Sequence, residues 1–196
     1  MAQFVAFEKG IEVNGETVLS IVNAMEGFEE FARTILEING IEDPTPGKWY
    51  SQQAWLEAFR QIAEKVGEKT LFNIGKAIPE NARFPAEINN VLDALASIDV
   101  AYHMNHRNSE GEVLYDPVTG EIKQGIGHYS LVEFNQKERN AVMECPNPYP
   151  SHFDRGIITT MVRKFAPEAA GVHVILDENR PTRLEGEDSC TYIITW

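Results

Sequence analysis

The chain has 196 residues, of which 43% are hydrophobic and 24% are charged, as is typical of a soluble globular protein. Its net charge of −13 argues against nucleic acid and anionic membrane surfaces as partners, because binding to either needs clustered Lys and Arg. Two cysteines make no disulfide framework, and the sequence contains neither a signal peptide nor an apolar run of about 18 residues. We therefore expect a cytoplasmic protein without membrane insertion.

The first half of the chain carries helical periodicity. Apolar residues recur at three- and four-residue steps from Glu16 to Asn39, and Gly40 is a suitable helix stop. Two prolines and a glycine in segment 41–48 predict a linker. The pattern thus predicts an N-terminal helical arm over 1–45 and an α+β domain over 46–196.

More helices are predicted inside the second of these regions. One starts at Ser51, a shorter one covers 70–77 and stops before Pro79, and a third covers 86–106. The pattern then predicts two short strands in 112–123 and two further strands at 126–134 and 141–145. A helix from Ser151 follows, and the last two predicted strands lie at 172–177 and 190–196. Because helices and strands are segregated, the fold class is α+β, with N-terminal helices packed on an antiparallel sheet and one helix inserted before the last two strands.

The stretch around Cys145 combines a strand end, a stiff loop and a helix start. Three prolines follow Cys145 within five residues, and Ser151 with Asp154 has the spacing of a capping box. A thiol near a helix N-terminus becomes more reactive, because the helix dipole favours the thiolate. The alternative is that Cys145 is a small buried hydrophobe at the end of its strand.

The element order after Cys145, together with Gly-Glu-Asp-Ser-Cys-Thr-Tyr-Ile-Ile at 186–194, resembles the C-terminal half of 4-vinyl-reductase domains. Those domains share a fold with TRAPP transport-complex subunits and with haem nitric-oxide-binding domains. The resemblance implies a binding module whose hydrophobic pocket lies between the sheet and its helices, near Cys145 and Cys190. Segment 177–180 lacks the upstream cysteine common in that family. The Tyr-x-Ser-x-Arg motif of the haem-binding relatives is also missing, so the sequence argues against haem.

Ligating side chains are densest near the end of the predicted helix 86–106. Asp99, His103 and His106 stand at steps of four and three, on one helical side, and such a set suits zinc or iron. The alternative is that the imidazoles interact with the last carbonyl groups of the helix and with its dipole.

A non-enzymatic domain that binds or senses a small hydrophobic molecule is the expected function, and a homodimer is the expected assembly. His128 alternates with Ile126 and Ser130, so it either anchors a ligand in the pocket or is a satisfied core histidine. The alternatives are a metal-dependent enzyme that uses Asp99, His103 and His106, and a scaffold subunit that holds a lipid. The residues predicted to contact the ligand are Cys145, Cys190, His128, Tyr102, Phe153 and Trp55.

Overall fold

The computed structural model describes residues 3–196. Within them the chain forms six α-helices: α1 Gly15–Ala24, α2 Glu29–Ile38, α3 Gln52–Val66, α4 Glu68–Asn81, α5 Val91–Met104 and α6 Ser151–Phe165. It also forms seven strands: β1 Glu12–Asn14, β2 Trp49–Ser51, β3 His106–Arg107, β4 Ser130–Asn135, β5 Asn140–Cys145, β6 His173–Leu176 and β7 Cys190–Thr195. The α+β fold class is confirmed, and α6 is the helix inserted before the last two strands.

Two antiparallel sheets organise the chain. The larger has the order β4-β5-β7-β6, and the smaller has the order β2-β1-β3. The smaller sheet joins the start of the chain to the start of α3 and to the end of α5. In the larger sheet Cys145 of β5 stands directly opposite Cys190 of β7. Alternate residues of β5 and β7 are buried on the face that α6 and α5 cover, which is where the core lies.

Helices α4 and α6 approach each other closely through two glycines. A Cβ atom added at Gly75 would lie 2.1 Å from the Phe153 carbonyl oxygen, and one added at Gly156 would lie 2.2 Å from the Phe72 carbonyl oxygen. Both distances are far below a van der Waals contact, so only glycine permits this separation of the two helices.

The N-terminal helical region differs from its prediction. The single helix expected from Glu16 to Asn39 is two helices, because the chain turns at Gly27, which has a φ of 80°. The Asn14 side chain accepts a hydrogen bond from the Thr17 N–H and caps α1. Helix α4 continues through Pro79 to Asn81, so the predicted stop before Pro79 is wrong; Pro79 lies in the last turn, and the helix ends two residues after it.

The predicted hairpin at 112–123 and the predicted helix start at residue 86 also need correction. Segment 112–123 forms only the isolated bridges Arg107↔Val113 and Tyr115↔Ile122, because Asp116 makes local turn bonds to Val118 and Thr119. The helix expected from residue 86 begins at Val91, where the Asn90 side chain accepts from the Asp93 N–H.

Ser151 is the first residue of α6 rather than its cap, and Asp154 forms no capping box. The residue before the helix is Pro150, and it makes no side-chain capping bond. The Ser151 hydroxyl lies 3.0 Å from the Tyr192 hydroxyl, while Asp154 turns into the core. Among the described residues, no helix combines the length and the apolar character that crossing a membrane requires.

Candidate functional site

A cavity of about 90 Å³ lies between α5 and α6, with one end formed by α3 and α4. Its rim includes Ala82 and Ala101, which are both exposed, so the cavity opens to solvent there. The walls are largely apolar and aromatic, and they include Trp55, Ile78, Ile98, Tyr102, His106, Tyr129, Tyr149, Phe153, Ile157 and Met161.

Aromatic rings form the inner wall of this cavity. The ring centroids of Trp55 and Tyr149 are 5.3 Å apart in an edge-to-face arrangement, and Tyr149 and Phe153 are 5.4 Å apart. The Tyr102 ring lies edge-on to Tyr149 at 5.8 Å. Edge-to-face pairs of this kind add about 0.5–1.5 kcal/mol beyond the burial of their area, so the contacts between these rings stabilise the closed wall.

His106 is the polar residue of the cavity wall whose hydrogen bonds define which ring nitrogen carries the proton. Its Nδ1 lies 2.7 Å from the Tyr102 carbonyl oxygen, which can only accept, so Nδ1 carries the proton and donates. The Nε2 lone pair therefore accepts from the Tyr149 hydroxyl at 2.6 Å, and the Gln52 amide donates to that hydroxyl in turn at 3.2 Å. Burial lowers the pKa of His106 to about 4, so the imidazole is neutral near pH 7.

A buried ionic network supports the floor of the site. Asp154 of α6 forms an ion pair with Arg183, and both side chains are fully buried. The Tyr129 hydroxyl donates to Asp154 at 2.6 Å, and the Arg183 guanidinium also donates to the Cys145 carbonyl. The network connects α6 to the strand end at Cys145 and to the short 3₁₀-helix Arg183–Glu185.

The structure separates the residues that the sequence assigned to ligand binding into two groups. Trp55, Tyr102 and Phe153 line the cavity. The two cysteines lie in the sheet away from it, fully buried, and burial raises the pKa of the Cys145 thiol, which removes the expected thiolate. His128 points instead toward Asp99, with 3.1 Å between its Nδ1 and the carboxylate Oδ2.

The structure also separates the three residues that the sequence predicted to bind a metal ion. Asp99 and His103 lie together, and their third neighbour is His128. His106 turns to the cavity because it follows the end of α5, in β3, where the helical spacing no longer applies. Sequence reasoning also missed Tyr149, although its position between Pro148 and Pro150 signals a restricted backbone.

No protein-family model matches this chain, and a comparison with curated protein sequences finds no relative. Among solved structures, 26 chains are similar to it. One is an H-NOX protein from S. oneidensis in its Fe(II)NO ligation state, with a TM-score of 0.62, 11% identity and coverage of 92% of this chain and 97% of that one. The fold is that of the H-NOX domains.

Two further structures agree with this assignment. A structure from work on haem distortion in the H-NOX family matches with a TM-score of 0.63 at 15% identity, and covers 93% of this chain and 94% of that one. An oxygen-binding H-NOX domain related to soluble guanylate cyclases, solved as its oxygen complex, matches with a TM-score of 0.59 at 13% identity and covers 92% of each chain. Sequence identities this low show that the folds are similar and show nothing further.

The comparisons overturn the expectation about haem. The sequence argued against haem because the Tyr-x-Ser-x-Arg motif is missing, yet the chain has the fold of domains whose solved structures concern haem and its distortion. That expectation is wrong, since the missing motif does not remove the chain from this fold. The sequence resemblance implied a fold that is shared with haem nitric-oxide-binding domains, and that fold is confirmed.

Proposed function

We propose that this chain is a small-molecule sensor domain that binds its ligand in the cavity beside His106. The observation that carries the proposal is a neutral imidazole on the wall of an apolar cavity that opens to solvent. Ligand sites in proteins combine apolar walls with a few polar groups that orient the ligand, and the His106–Tyr149 pair is such a group. The H-NOX likeness supports the same assignment, because those structures hold NO or oxygen.

Haem is the cofactor that the fold implies, and the donor chemistry of the cavity fits it. His106 would hold the haem iron: it is neutral, and a backbone carbonyl accepts from Nδ1, so Nε2 carries the lone pair that Tyr149 on the cavity wall now occupies. Bound haem would supply the iron atom that binds a diatomic gas. The present cavity of about 90 Å³ is smaller than the roughly 150 Å³ that admits benzene, so haem would need Tyr149 to leave Nε2 and the aromatic wall to part.

Titration with hemin tests this cofactor directly. The expected result is one hemin per chain with a shifted Soret band, and an affinity at least about tenfold lower in His106→Ala, because a ligand is lost. His173→Ala is the matched control, since that histidine is exposed on β6 and remote from the cavity residues. Wild-type binding that His106→Ala leaves unchanged would contradict the role of His106.

A thermal-shift screen with small apolar compounds tests the cavity without any cofactor. A compound at 100 times its Kd stabilises the folded form by about 2.7 kcal/mol if the unfolded chain does not bind it. Ile98→Phe adds a ring at the cavity wall and should abolish the shift, whereas Leu92→Phe, on an exposed part of the same helix, should retain it. If neither hemin nor any apolar compound binds the wild type, the sensor proposal falls.

The finer expectations belong to the same proposal. A relation to 4-vinyl-reductase domains, a homodimer, and the division between 1–45 and 46–196 stay predictions. Sedimentation velocity tests the dimer, and limited proteolysis within segment 41–48 tests the division.

A further inference from the structure

A second cluster of ligating side chains lies beside α5, away from the cavity. Asp99 and His103 stand one turn apart on α5, and His128 reaches them from the segment before β4. One carboxylate oxygen and one nitrogen from each imidazole all lie within 4.8 Å of one another. None of Asp99, His103 and His128 lines the cavity, so this cluster is a different site from the one proposed for the ligand.

The hydrogen bonds of His128 leave a lone pair facing a carboxylate. His128 Nε2 lies 3.0 Å from the Gln124 Oε1 atom, which only accepts, so Nε2 carries the proton and donates. In the neutral imidazole Nδ1 then presents its lone pair to Asp99 Oδ2 at 3.1 Å. A metal ion coordinated by both atoms would accept these two lone pairs.

His103 provides a second and independent observation. Its side chain is fully buried, and its Nδ1 donates to the Asp99 carbonyl at 2.8 Å. Its Nε2 is buried and has no hydrogen-bond partner among the described residues. A buried polar atom without a partner costs about 1–3 kcal/mol, so such an atom calls for an explanation. The His103 ring lies against the His128 ring, with centroids 5.1 Å apart.

The chemistry and accessibility of the cluster suit a divalent transition-metal ion. Two neutral imidazoles and one carboxylate form the donor set of open zinc sites, in which water completes the coordination. The side chains of Asp99 and His128 are 18% and 28% exposed, so an ion can reach them from solvent. Supporting contacts are also present: the Tyr129 N–H donates to Asp99 Oδ1 at 2.8 Å, and Gln124 orients His128.

We propose that Asp99, His103 and His128 bind one divalent first-row metal ion, with zinc as the first candidate. The ion would link α5 to the segment that leads into β4, and it would give His103 Nε2 the partner that it lacks among the described residues. The site takes Asp99 and His103 from the sequence prediction and replaces His106 with His128.

Binding of Co²⁺ and Zn²⁺ to the full chain, stripped of metal by a chelator, tests the proposal. We expect one Co²⁺ per chain with the intense visible absorption of a four- or five-coordinate site, displaced by one Zn²⁺. His128→Ala should lower the Zn²⁺ affinity at least tenfold, and Asp99→Asn should do the same. Both side chains are partly exposed, so these variants should fold, which circular dichroism checks.

His152→Ala is the matched control, because His152 is also partly exposed and near a carboxylate, with 3.7 Å to Glu68, yet lies outside the cluster. Its Zn²⁺ affinity should equal that of the wild type. The proposal is overturned if the wild type takes up no Co²⁺ or Zn²⁺. It is overturned equally if His128→Ala and His152→Ala bind Zn²⁺ alike. Neither outcome bears on hemin binding at His106.

Discussion

At the scale of single residues, the core of this protein contains a charge pair that must stay complete. Arg183 and Asp154 are both fully buried, and each is held by further hydrogen bonds from or to its neighbours. Removing one partner of such a pair leaves an uncompensated charge away from water.

Arg183→Met should therefore lower the free energy of unfolding by about 3–5 kcal/mol, measured by guanidinium denaturation. Arg180→Met is the control, because Arg180 faces Asp177 at 3.7 Å with a side chain that is 53% exposed. An exposed pair contributes at most about 1 kcal/mol. Equal losses in the two variants would show that the buried pair has no special role.

His106 should make the protein sensitive to acid. Its pKa is lowered from 6.5 to about 4, so between these values the unfolded chain binds a proton that the folded chain does not. Stability is therefore unaffected by His106 above pH 6.5 and falls as the pH drops from 6.5 toward 4, by up to about 3 kcal/mol.

Chemical denaturation at pH 7.5, 5.5 and 4.5 measures this effect when wild type is compared with His106→Gln, whose side chain does not titrate. The difference in unfolding free energy between the two proteins should shift in favour of the variant as the pH falls. A difference independent of pH would contradict a neutral, buried His106.

At the scale of elements, the crossing of α4 and α6 shapes the cavity, since both helices contribute to its wall. Gly75→Ala places a methyl group against the Phe153 carbonyl and should force the helices apart. Overpacking of this kind costs about 1–3 kcal/mol, although alanine is the better helix former. Asn73→Ala, at an exposed position of α4, should be neutral or stabilising in the same thermal unfolding measurement. A Gly75→Ala protein as stable as Asn73→Ala would contradict the close approach.

At the scale of the whole molecule, the net charge of −13 produces repulsion between like charges on the surface. Raising NaCl from 10 to 200 mM shortens the Debye length from about 30 Å to less than 10 Å and should raise Tm. Sucrose at matched osmolality is the control, because it does not screen charge. If NaCl has no effect on Tm, the acidic residues are spread too far apart to repel one another.

The sequence by itself determined the α+β class and the positions of α3, α6 and the four strands of the larger sheet. These follow from local signals: the period of apolar residues, Ser51 as a helix cap, and prolines that end β5. Trp55, Tyr102 and Phe153 line the cavity because they lie on buried helical faces, and their contact with a ligand stays a prediction.

Only the tertiary structure decided which polar groups meet. His128 joins Asp99 across 29 positions, Asp154 meets Arg183 across another 29, and Tyr149 reaches His106 across 43. Periodicity indicates which face of an element is buried but does not identify the element that packs against it. Helix α5 ends at Met104, so His103 in the helix and His106 in β3 lie at different sites. Long-range pairing is decided by how the two sheets and α6 pack, and that packing depends on the whole chain.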